Sequence, residues 1–383
     1  MNDSPPPPVD ATKRASGSDR ADPANRGDPG RPYITVIVTA HDRRQFLQGA
    51  VESVLAQTLP AEDFEVVVVK FLRDPEVDRW LDLKGPRVRT VTDENLPRLG
   101  QKLAHGVRLA RGRVLCFLED DDRYLPNKLA SVAARFRDDP TLDYYRNRNR
   151  CIDASGRPLV GPYSRMSDRE LTIPPTERDD LRVVDFMRHY GAEGNSSIAV
   201  RRELLLPLLP ALEQFSTSTD WIFFVGALAS SGTLVVGQET LSEYRLHDSL
   251  SQGVTRASRQ RVSEEIVRSG EAVVRLTSGS RAERAARFLR SRGSVNWYLI
   301  DPSARRPSFR TLRDAAWLAW LRREPTFAIQ IGWCALRFLA PRTTSTAYWG
   351  YHQRDSQRQN WRIVGPAPGA PPPESPSMRG SPP

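Results

Sequence analysis

The sequence VLCFLEDDD, residues 114–122, joins a run of apolar residues to four consecutive carboxylates. A short run of this kind is typical of a β-strand that is buried on both faces of a parallel sheet. Similar runs come earlier in the chain, with YITVIV at 33–38, FEVVVV at 64–69 and a shorter one at 88–91. The four runs predict four buried strands.

Apolar residues at helical spacing fill the gaps between these strands. They predict helices over about 46–55, 77–83 and 99–110. We expect Asp42 to cap the first helix and Gly112 to close the last one. Because strands alternate with helices, the sequence predicts an α/β fold with a parallel sheet and right-handed crossovers. Ligands of such sheets bind beyond the carboxyl ends of the strands, where the acidic run lies.

The acidic run itself predicts a cation site. Adjacent carboxylates raise one another's pKa values unless a cation or solvent relieves the repulsion. Carboxylate oxygens suit Mg²⁺ or Mn²⁺, and such an ion would bridge a substrate diphosphate and stabilise the charge on its leaving group. The alternative is a solvated acidic turn before a helix that starts near Pro126. The position directly after a buried strand favours the cation site.

Two segments resemble the family-2 glycosyltransferases of GT-A fold. They are ITVIVTAHDRRQFLQGAVESVLAQTLPAEDFEVVVV at 34–69 and GVRLARGRVLCFLEDDDRYLPNKL at 106–129. They are similar to the family's strand with a PTYNR-like turn, its helix ending in SVLxQT and its FLDxDD-like acidic motif. The resemblance covers about residues 33–250. It implies a GT-A-like (Rossmann-like), mostly parallel sheet flanked by helices, and inverting transfer from a nucleotide-diphosphate sugar with Mn²⁺ or Mg²⁺.

The resemblance also assigns residues to the donor. Thr39, Ala40 and His41 occupy the turn that holds the base and ribose. Glu119 stands where the family's first acidic residue contacts the nucleotide, and Asp121 stands at the metal-binding position. Asp120, which lies between these two, is expected to help hold the donor and its metal ion.

The chain departs from the family pattern at two positions near the donor. Lys70 and Phe71 follow the second strand, where the family usually has Asp-Asp. Lys70 is expected either to pair with a phosphate, to accept a different base, or to be a surface residue. Ala104 stands where an Asn is common. The sequence therefore does not identify the nucleotide of the donor.

The resemblance implies that Asp220 is the catalytic base. An inverting transfer needs a carboxylate to deprotonate the attacking hydroxyl. Asp220 stands where the family has its ED-type motif, although Thr219 replaces the preceding acid. The alternative is that Asp220 caps a helix starting at Trp221, since Asp is a favoured N-cap.

Two more segments carry site residues by the same resemblance. Asn195 and Ser196 match an acceptor-side loop, and alternatively form only a tight polar turn. Arg245 and His247 match a YRxH segment that closes over the diphosphate. Arg245 offers bidentate phosphate contacts, and neutral His247 is a candidate metal ligand.

Composition indicates how the chain is divided into domains and tails. Residues 1–31 and 363–383 are rich in Pro, Gly and Ser and predict disordered tails. Between them we expect a catalytic domain at 32–250 and a helical appendage at 251–362. The chain has three cysteines, no stretch apolar enough to span a membrane and no signal-peptide pattern at 1–31. These features predict a cytoplasmic protein.

The formal net charge of +10 is concentrated in the predicted appendage. Residues 256–324 hold 16 Arg and no Lys against 7 acidic residues, which gives about +9. This segment also holds several Trp residues among apolar stripes, so two interpretations stay open. One is a helical cap on the catalytic domain; the other is a peripheral contact with the inner face of a membrane. No signature of nucleic-acid binding accompanies the charge, so we expect no nucleic-acid partner.

The sequence as a whole predicts an inverting glycosyltransferase that acts on an envelope glycan or a lipid-linked acceptor. A nucleotidyltransferase would show a glycine-rich loop after the first strand, and TAHDRRQF at 39–46 has none. The alternative from another class is a non-catalytic nucleotide-sugar or glycan-binding module that docks at a membrane surface.

Overall fold

The structure is a computed structural model of the chain. It describes residues 30–41, 43–160, 169–189, 191–246, 255–280, 282–322, 325–340, 343–350 and 362–363. Nearly all of both predicted tails lies outside the described residues, and so do Asp42 and His247.

The described residues form one mixed sheet of eleven strands. The strands are β1 Ile34–Ala40, β2 Phe64–Lys70, β3 Val88–Thr92, β4 Val114–Glu119, β5 Arg123–Tyr124, β6 Leu142–Ile152, β7 Pro158–Val160, β8 Leu171–Ile173, β9 Ile198–Arg201, β10 Thr233–Arg245 and β11 Arg362–Ile363. The four strands predicted from the apolar runs lie side by side in the order β4-β1-β2-β3, and all three pairings are parallel. The predicted α/β class is confirmed.

The other half of the sheet is mainly antiparallel. Strand β9 lies between β4 and β6 and runs antiparallel to both. Strand β10 runs parallel to β6 and pairs antiparallel with β5 and β8. Strand β10 is 13 residues long and carries Arg245 at its end.

Helices cover the sheet and continue beyond it. They are α1 Arg44–Leu55, α2 Pro75–Asp82, α3 Leu99–Leu109, α4 Lys128–Asp138, α5 Asp180–Arg188, α6 Arg202–Leu205, α7 Leu209–Leu212, α8 Asp220–Ala229, α9 Arg256–Leu276, α10 Glu283–Ile300, α11 Phe309–Arg322 and α12 Pro325–Leu339. The predicted helical C-terminal region is confirmed as α9 to α12.

Alternation along β1 divides the core into two layers. Ile37 packs into a cluster with residues of α3, α5 and α8, and this cluster continues into α10, α11 and α12. Val36 and Val38 point to the opposite face and pack with residues of α1, α2 and α4. This alternation is what the two-residue period of a strand dictates.

The expectation that Gly112 closes a helix was wrong. Helix α3 ends at Leu109, and the chain becomes extended at Ala110. Gly112 instead passes close to β1, because a Cβ at this position would lie 2.4 Å from the backbone nitrogen of Thr35. A glycine is required here by close packing of two backbone segments.

Candidate active site

The acidic run lies at the carboxyl end of the parallel strands, as predicted. Strands β1 and β4 pair in register, so Thr39 stands opposite Glu119. Thr39 and Ala40 are buried, and Asp120, Asp121 and Asp122 are almost completely shielded from solvent as well. Three of the four carboxylates therefore lie in a poorly solvated region directly after a buried strand.

Arg43 binds two of these carboxylates. Its guanidinium pairs with Asp121 through one terminal nitrogen and with Asp120 Oδ1 through the other, at 2.6 Å. The backbone N–H of His41 donates to Asp120 Oδ2 at 2.9 Å. The turn after β1 therefore holds the acidic loop, residues 119–122, through the guanidinium of Arg43 and the backbone N–H of His41. Arg43 was not among the predicted site residues, although its basic side chain in the turn after β1 was a signal for a contact with the acidic run.

The Arg43 contact tests whether these residues fit a divalent ion. Two carboxylates converge on one positive group, which is the arrangement that a shared cation needs. The described residues contain no group of three or more His, Cys, Asp or Glu side chains that could hold a metal ion. Mg²⁺ is commonly held by one or two protein carboxylates together with substrate phosphates. Asp120 and Asp121 fit that kind of site.

Aromatic and basic side chains lie beside the acidic loop at the ends of β1 and β2. The rings of His41 and Phe71 stack with centroids 5.1 Å apart, and Lys102 Nζ lies 3.3 Å from His41 Nδ1. Lys70 is buried rather than a surface residue. It pairs with Asp78 and donates to the carbonyl of Leu72 at 3.2 Å.

Arg245 stabilises the acidic loop from the opposite side. Its backbone N–H donates to Asp122 Oδ1 at 2.9 Å, and its Nε donates to the carbonyl of Asp121 at 2.8 Å. A terminal guanidinium nitrogen donates to the carbonyls of Asp153 and Ala154 at 3.0 and 2.9 Å. Arg245 is buried, so these bonds fix the end of β10 against the loop.

A buried amide links the acidic loop to the start of α8. Asn195 Nδ2 donates to Glu119 Oε1 at 2.8 Å and to Thr219 Oγ1 at 2.9 Å. The Oγ of Ser196 accepts from the backbone N–H of Glu119 at 3.1 Å. The predicted acceptor loop therefore lies directly between the acidic run and Asp220.

Asp220 is the first residue of α8 and is partly exposed. Its Oδ2 accepts from the backbone N–H of Gly194 at 2.8 Å, and its Oδ1 accepts from the N–H of Trp221 at 3.0 Å. The alternative, that Asp220 caps a helix starting at Trp221, was wrong, because the helix begins at Asp220 itself and Thr219 takes the N-cap position. A carboxylate has about four lone-pair sites, so these two hydrogen bonds leave Asp220 able to accept a further hydrogen bond from a substrate hydroxyl.

Burial raises the pKa values of several acids at this edge of the sheet, Glu119 and Asp122 as well as Asp220. Burial raises the pKa of Asp220 to about 7, and the nearby charges of Glu193 and Glu119 add to the rise although the Gly194 N–H opposes it. Burial also raises the pKa of Asp120 to about 6, and Arg43 works against this increase. A carboxyl whose pKa lies near neutral pH is suited to exchanging protons with a substrate.

A buried lysine that the sequence analysis did not identify supports the same loop. Lys128 at the start of α4 donates from Nζ to the carbonyl of Ser196 at 2.6 Å and to Ser242 Oγ at 2.9 Å. Burial lowers the pKa of Lys128 to about 7. Lys128 begins an amphipathic helix, and nothing in the sequence distinguishes it from a lysine on the exposed face of such a helix.

Most of the predicted site residues therefore lie at one edge of the sheet. The acidic run contacts Arg43, His41, Arg245, Asn195 and Ser196 directly, and Asp220 follows one residue after Thr219. Lys70 lies at the end of the adjacent strand β2 but is paired with Asp78. His247 lies outside the described residues.

Comparisons with known proteins find similarity to glycosyltransferases. Residues 35–179 match the family model for glycosyl transferase family 2. The chain is 27% identical over 314 residues to the O-antigen biosynthesis protein RfbC of Myxococcus xanthus, covering 78% of this chain. It is 26% identical over 225 residues to an uncharacterized glycosyltransferase of Nostoc sp., covering 56% of this chain. The aligned regions span only 23% of the Myxococcus protein and 65% of the Nostoc protein.

A solved structure supports the fold. The crystal structure of Staphylococcus aureus TarS 1–349 in complex with UDP-GlcNAc superposes with a TM-score of 0.50 at 14% identity. The match covers 80% of this chain and 91% of that chain. At this identity the likeness shows a shared fold.

Proposed function

The chain belongs to the family-2 glycosyltransferases and has their GT-A fold, and from this premise we propose an inverting transfer with Asp220 as the base. In the proposed step the acceptor hydroxyl attacks the anomeric carbon of a nucleotide-diphosphate sugar. The bond from that carbon to the diphosphate oxygen breaks, and the hydroxyl proton passes to Asp220. The products are a glycoside and a nucleoside diphosphate.

The observation that carries this proposal is the environment of Asp220. Its pKa is raised to about 7, mainly by burial. The carboxyl stays linked to the acidic loop, because Gly194 donates to Asp220 while the adjacent Asn195 bridges Glu119 and Thr219. A base at this position can reach a hydroxyl that is held near the donor diphosphate.

We assign the donor to the ends of β1 and β4. His41 and Phe71 offer stacked rings for a base, and Thr39 and Ala40 form the buried end of the strand beside them. Glu119 lies next to Thr39 in the sheet, within reach of a ribose at the same edge.

Mn²⁺ or Mg²⁺ would be held by Asp121 and Asp120 together with the donor phosphates. When bound, the ion would neutralise charge on the departing diphosphate. Arg43 already binds both carboxylates and stands where it can also contact a phosphate oxygen. His247 remains a predicted ligand, and Lys70 remains a predicted donor contact that would first have to leave Asp78.

The remaining residues position the site. Arg245 donates to the carbonyl of Asp121 and, from its backbone N–H, to Asp122 Oδ1, which supports a role in holding the acidic loop under the diphosphate. Asn195 and Ser196 bond Glu119, so we place them at the acceptor side as residues that fix the loop carrying Gly194.

The acceptor class is proposed from the name of one relative. The Myxococcus relative is an O-antigen biosynthesis protein, which favours an envelope glycan or its lipid-linked precursor as the acceptor. Within the described residues, no helix combines the length and the apolar character that crossing a membrane requires. We propose a cytoplasmic enzyme that contacts the inner face of the membrane peripherally.

Substitution of the base tests the proposal. Asp220→Asn should lower turnover by about 10²–10⁴-fold because the amide cannot accept the hydroxyl proton. Donor binding should stay unchanged, since the acidic loop is intact. The assay measures release of nucleoside diphosphate across UDP- and GDP-sugars with Mn²⁺, and calorimetry measures donor binding.

Asp179→Asn is the matched control. Asp179 accepts from the backbone N–H groups of Leu181 and Arg182 at the start of α5, much as Asp220 accepts from Trp221 at the start of α8, but Asp179 has no proposed catalytic role. This variant should keep its turnover. Unchanged turnover in Asp220→Asn would refute the proposed base. Donor binding without turnover in the unmodified chain would favour the non-catalytic binding module.

A further inference from the structure

Helix α12 is turned with its polar side chains toward the protein. Gln330 donates to the hydroxyl of Tyr348 at 2.9 Å. Arg337 is buried, donates to the carbonyl of Asp301 at 2.7 Å and lies 3.9 Å from the ring centroid of Tyr298. A water-soluble amphipathic helix has the opposite arrangement, with its polar residues outward.

The outward face of α12 is a continuous apolar stripe. Its members follow one another at steps of three and four residues, which places them on one side of the helix. The exposed residues of this stripe are Ala328, Ile329, Gly332, Ala335, Leu336 and Leu339. Phe338 is exposed beside them. A contiguous apolar surface of this kind marks an interaction site, because single exposed apolar residues need no explanation but a whole face does.

Helix α11 extends this surface with aromatic and basic residues. Trp317 and Trp320 are exposed and stack on each other with ring centroids 5.0 Å apart. One and two turns earlier on the same side, Arg313 and Arg310 are exposed. Arg306, just before α11, lies 4.2 Å from the ring centroid of Phe338. The exposed side of α11 therefore changes from basic to aromatic along its length.

We propose that the outward face of α12, together with Trp317 and Trp320, inserts into the surface of an anionic lipid bilayer. The helix pair would lie in the plane of the interface. Leu336, Leu339 and Phe338 would reach the acyl chains, and the tryptophans would lie at headgroup level, where their rings are commonly found.

The positive charge beside this surface favours an anionic bilayer over a second copy of the chain as its partner. Arg306, Arg310 and Arg313 are exposed beside the tryptophans and Phe338, so two copies brought face to face would place like charges together. Anionic headgroups complement the same charge, since each basic residue near such a surface adds to binding. The proposal identifies the contact surface and does not depend on the glycosyl transfer.

Flotation of the full chain tests the proposal. The probes are vesicles of phosphatidylcholine alone and vesicles that also contain phosphatidylglycerol. The chain should float with the anionic vesicles, and added salt should weaken this binding. Leu339→Glu should reduce the bound-to-free ratio by about tenfold or more, because it places a charge where an apolar side chain enters the bilayer.

Leu83→Glu is the matched control. Leu83 follows α2 in the catalytic domain and is 79% exposed, the same fraction as Leu339. It should float like the unmodified chain, and circular dichroism should show both variants folded. Failure of the unmodified chain to float with anionic vesicles would overturn the proposal, and so would equal losses in the two variants. A dimer in sedimentation that Leu339→Glu dissociates, without flotation, would assign the surface to a second copy instead.

Discussion

Helices α8 and α12 are both strongly apolar, and the structure uses them in opposite ways. In α8, the eight residues from 221 to 228 are buried, so the helix is surrounded by protein on all sides. In α12, Gln330 and Arg337 bond to the protein, and an apolar face of the described part of the helix points outward. Apolar composition alone therefore does not tell which surface of a helix is covered, or by what.

The two helices also differ in their position relative to the candidate site. Helix α8 starts at Asp220, and its buried ring contacts fix that end beside the acidic loop. Phe224 stacks on Phe186 with centroids 5.4 Å apart and meets Trp221 edge-on at 6.2 Å. Helix α12 fixes no described part of the site and leaves its outer face available.

The largest expected difference between the two helices is in how much a substitution to alanine lowers the free energy of unfolding. Phe224→Ala should lower the free energy of unfolding by about 3–5 kcal/mol, because it leaves a cavity in a fully buried cluster. Leu336→Ala in α12 should change it by less than about 0.5 kcal/mol, since the side chain is exposed. Urea denaturation of both variants measures the difference.

An equally large loss of unfolding free energy in Leu336→Ala would contradict this comparison. It would mean that the outer face of α12 is already covered in solution. The effect of Leu336→Ala on vesicle binding should nevertheless be clear, because the same side chain contributes to the proposed lipid contact.

A smaller difference in stability is expected when one glycine in each helix is replaced by alanine. A Cβ on Gly226 of α8 would lie 2.2 Å from Leu208 Cδ1, whereas a Cβ on Gly332 of α12 meets nothing within 4 Å. Gly226→Ala should destabilise the fold by about 1 kcal/mol because Leu208 must move. Gly332→Ala should stabilise it by about 0.5–1 kcal/mol, since alanine loses less backbone entropy in a helix. Thermal unfolding of the two variants checks the opposite signs, and equal signs would contradict the packing described for α8.

The sequence predicted the parts of the fold that local patterns determine. The buried runs in β1, β2, β3 and β4 indicate strands by themselves, because each is a short apolar segment between turn signals. The alternation of strands and helices then dictates a parallel arrangement, which places the acidic run at the sheet edge. The antiparallel half of the sheet has no such local signature.

The site depended on contacts between distant segments. Arg43 and Asp120 are 77 residues apart in the chain, and only folding brings them into an ion pair. Lys70 and Lys128 look like solvent-exposed lysines in the sequence, yet both are buried against partners. The resemblance to a known family predicted that Asp220 is the base. The raised pKa of Asp220 depends on burial, which the sequence did not show.

The pH dependence of turnover tests the central claim, that Asp220 is the base, most directly. Asp220 must be deprotonated to accept the hydroxyl proton, and its pKa is raised to about 7. As the pH falls through that value the base becomes protonated, so kcat should decline by about tenfold per pH unit in acid. A profile that stays flat through neutral pH and falls only near the ordinary pKa of a solvated Asp, about 4, would contradict the account.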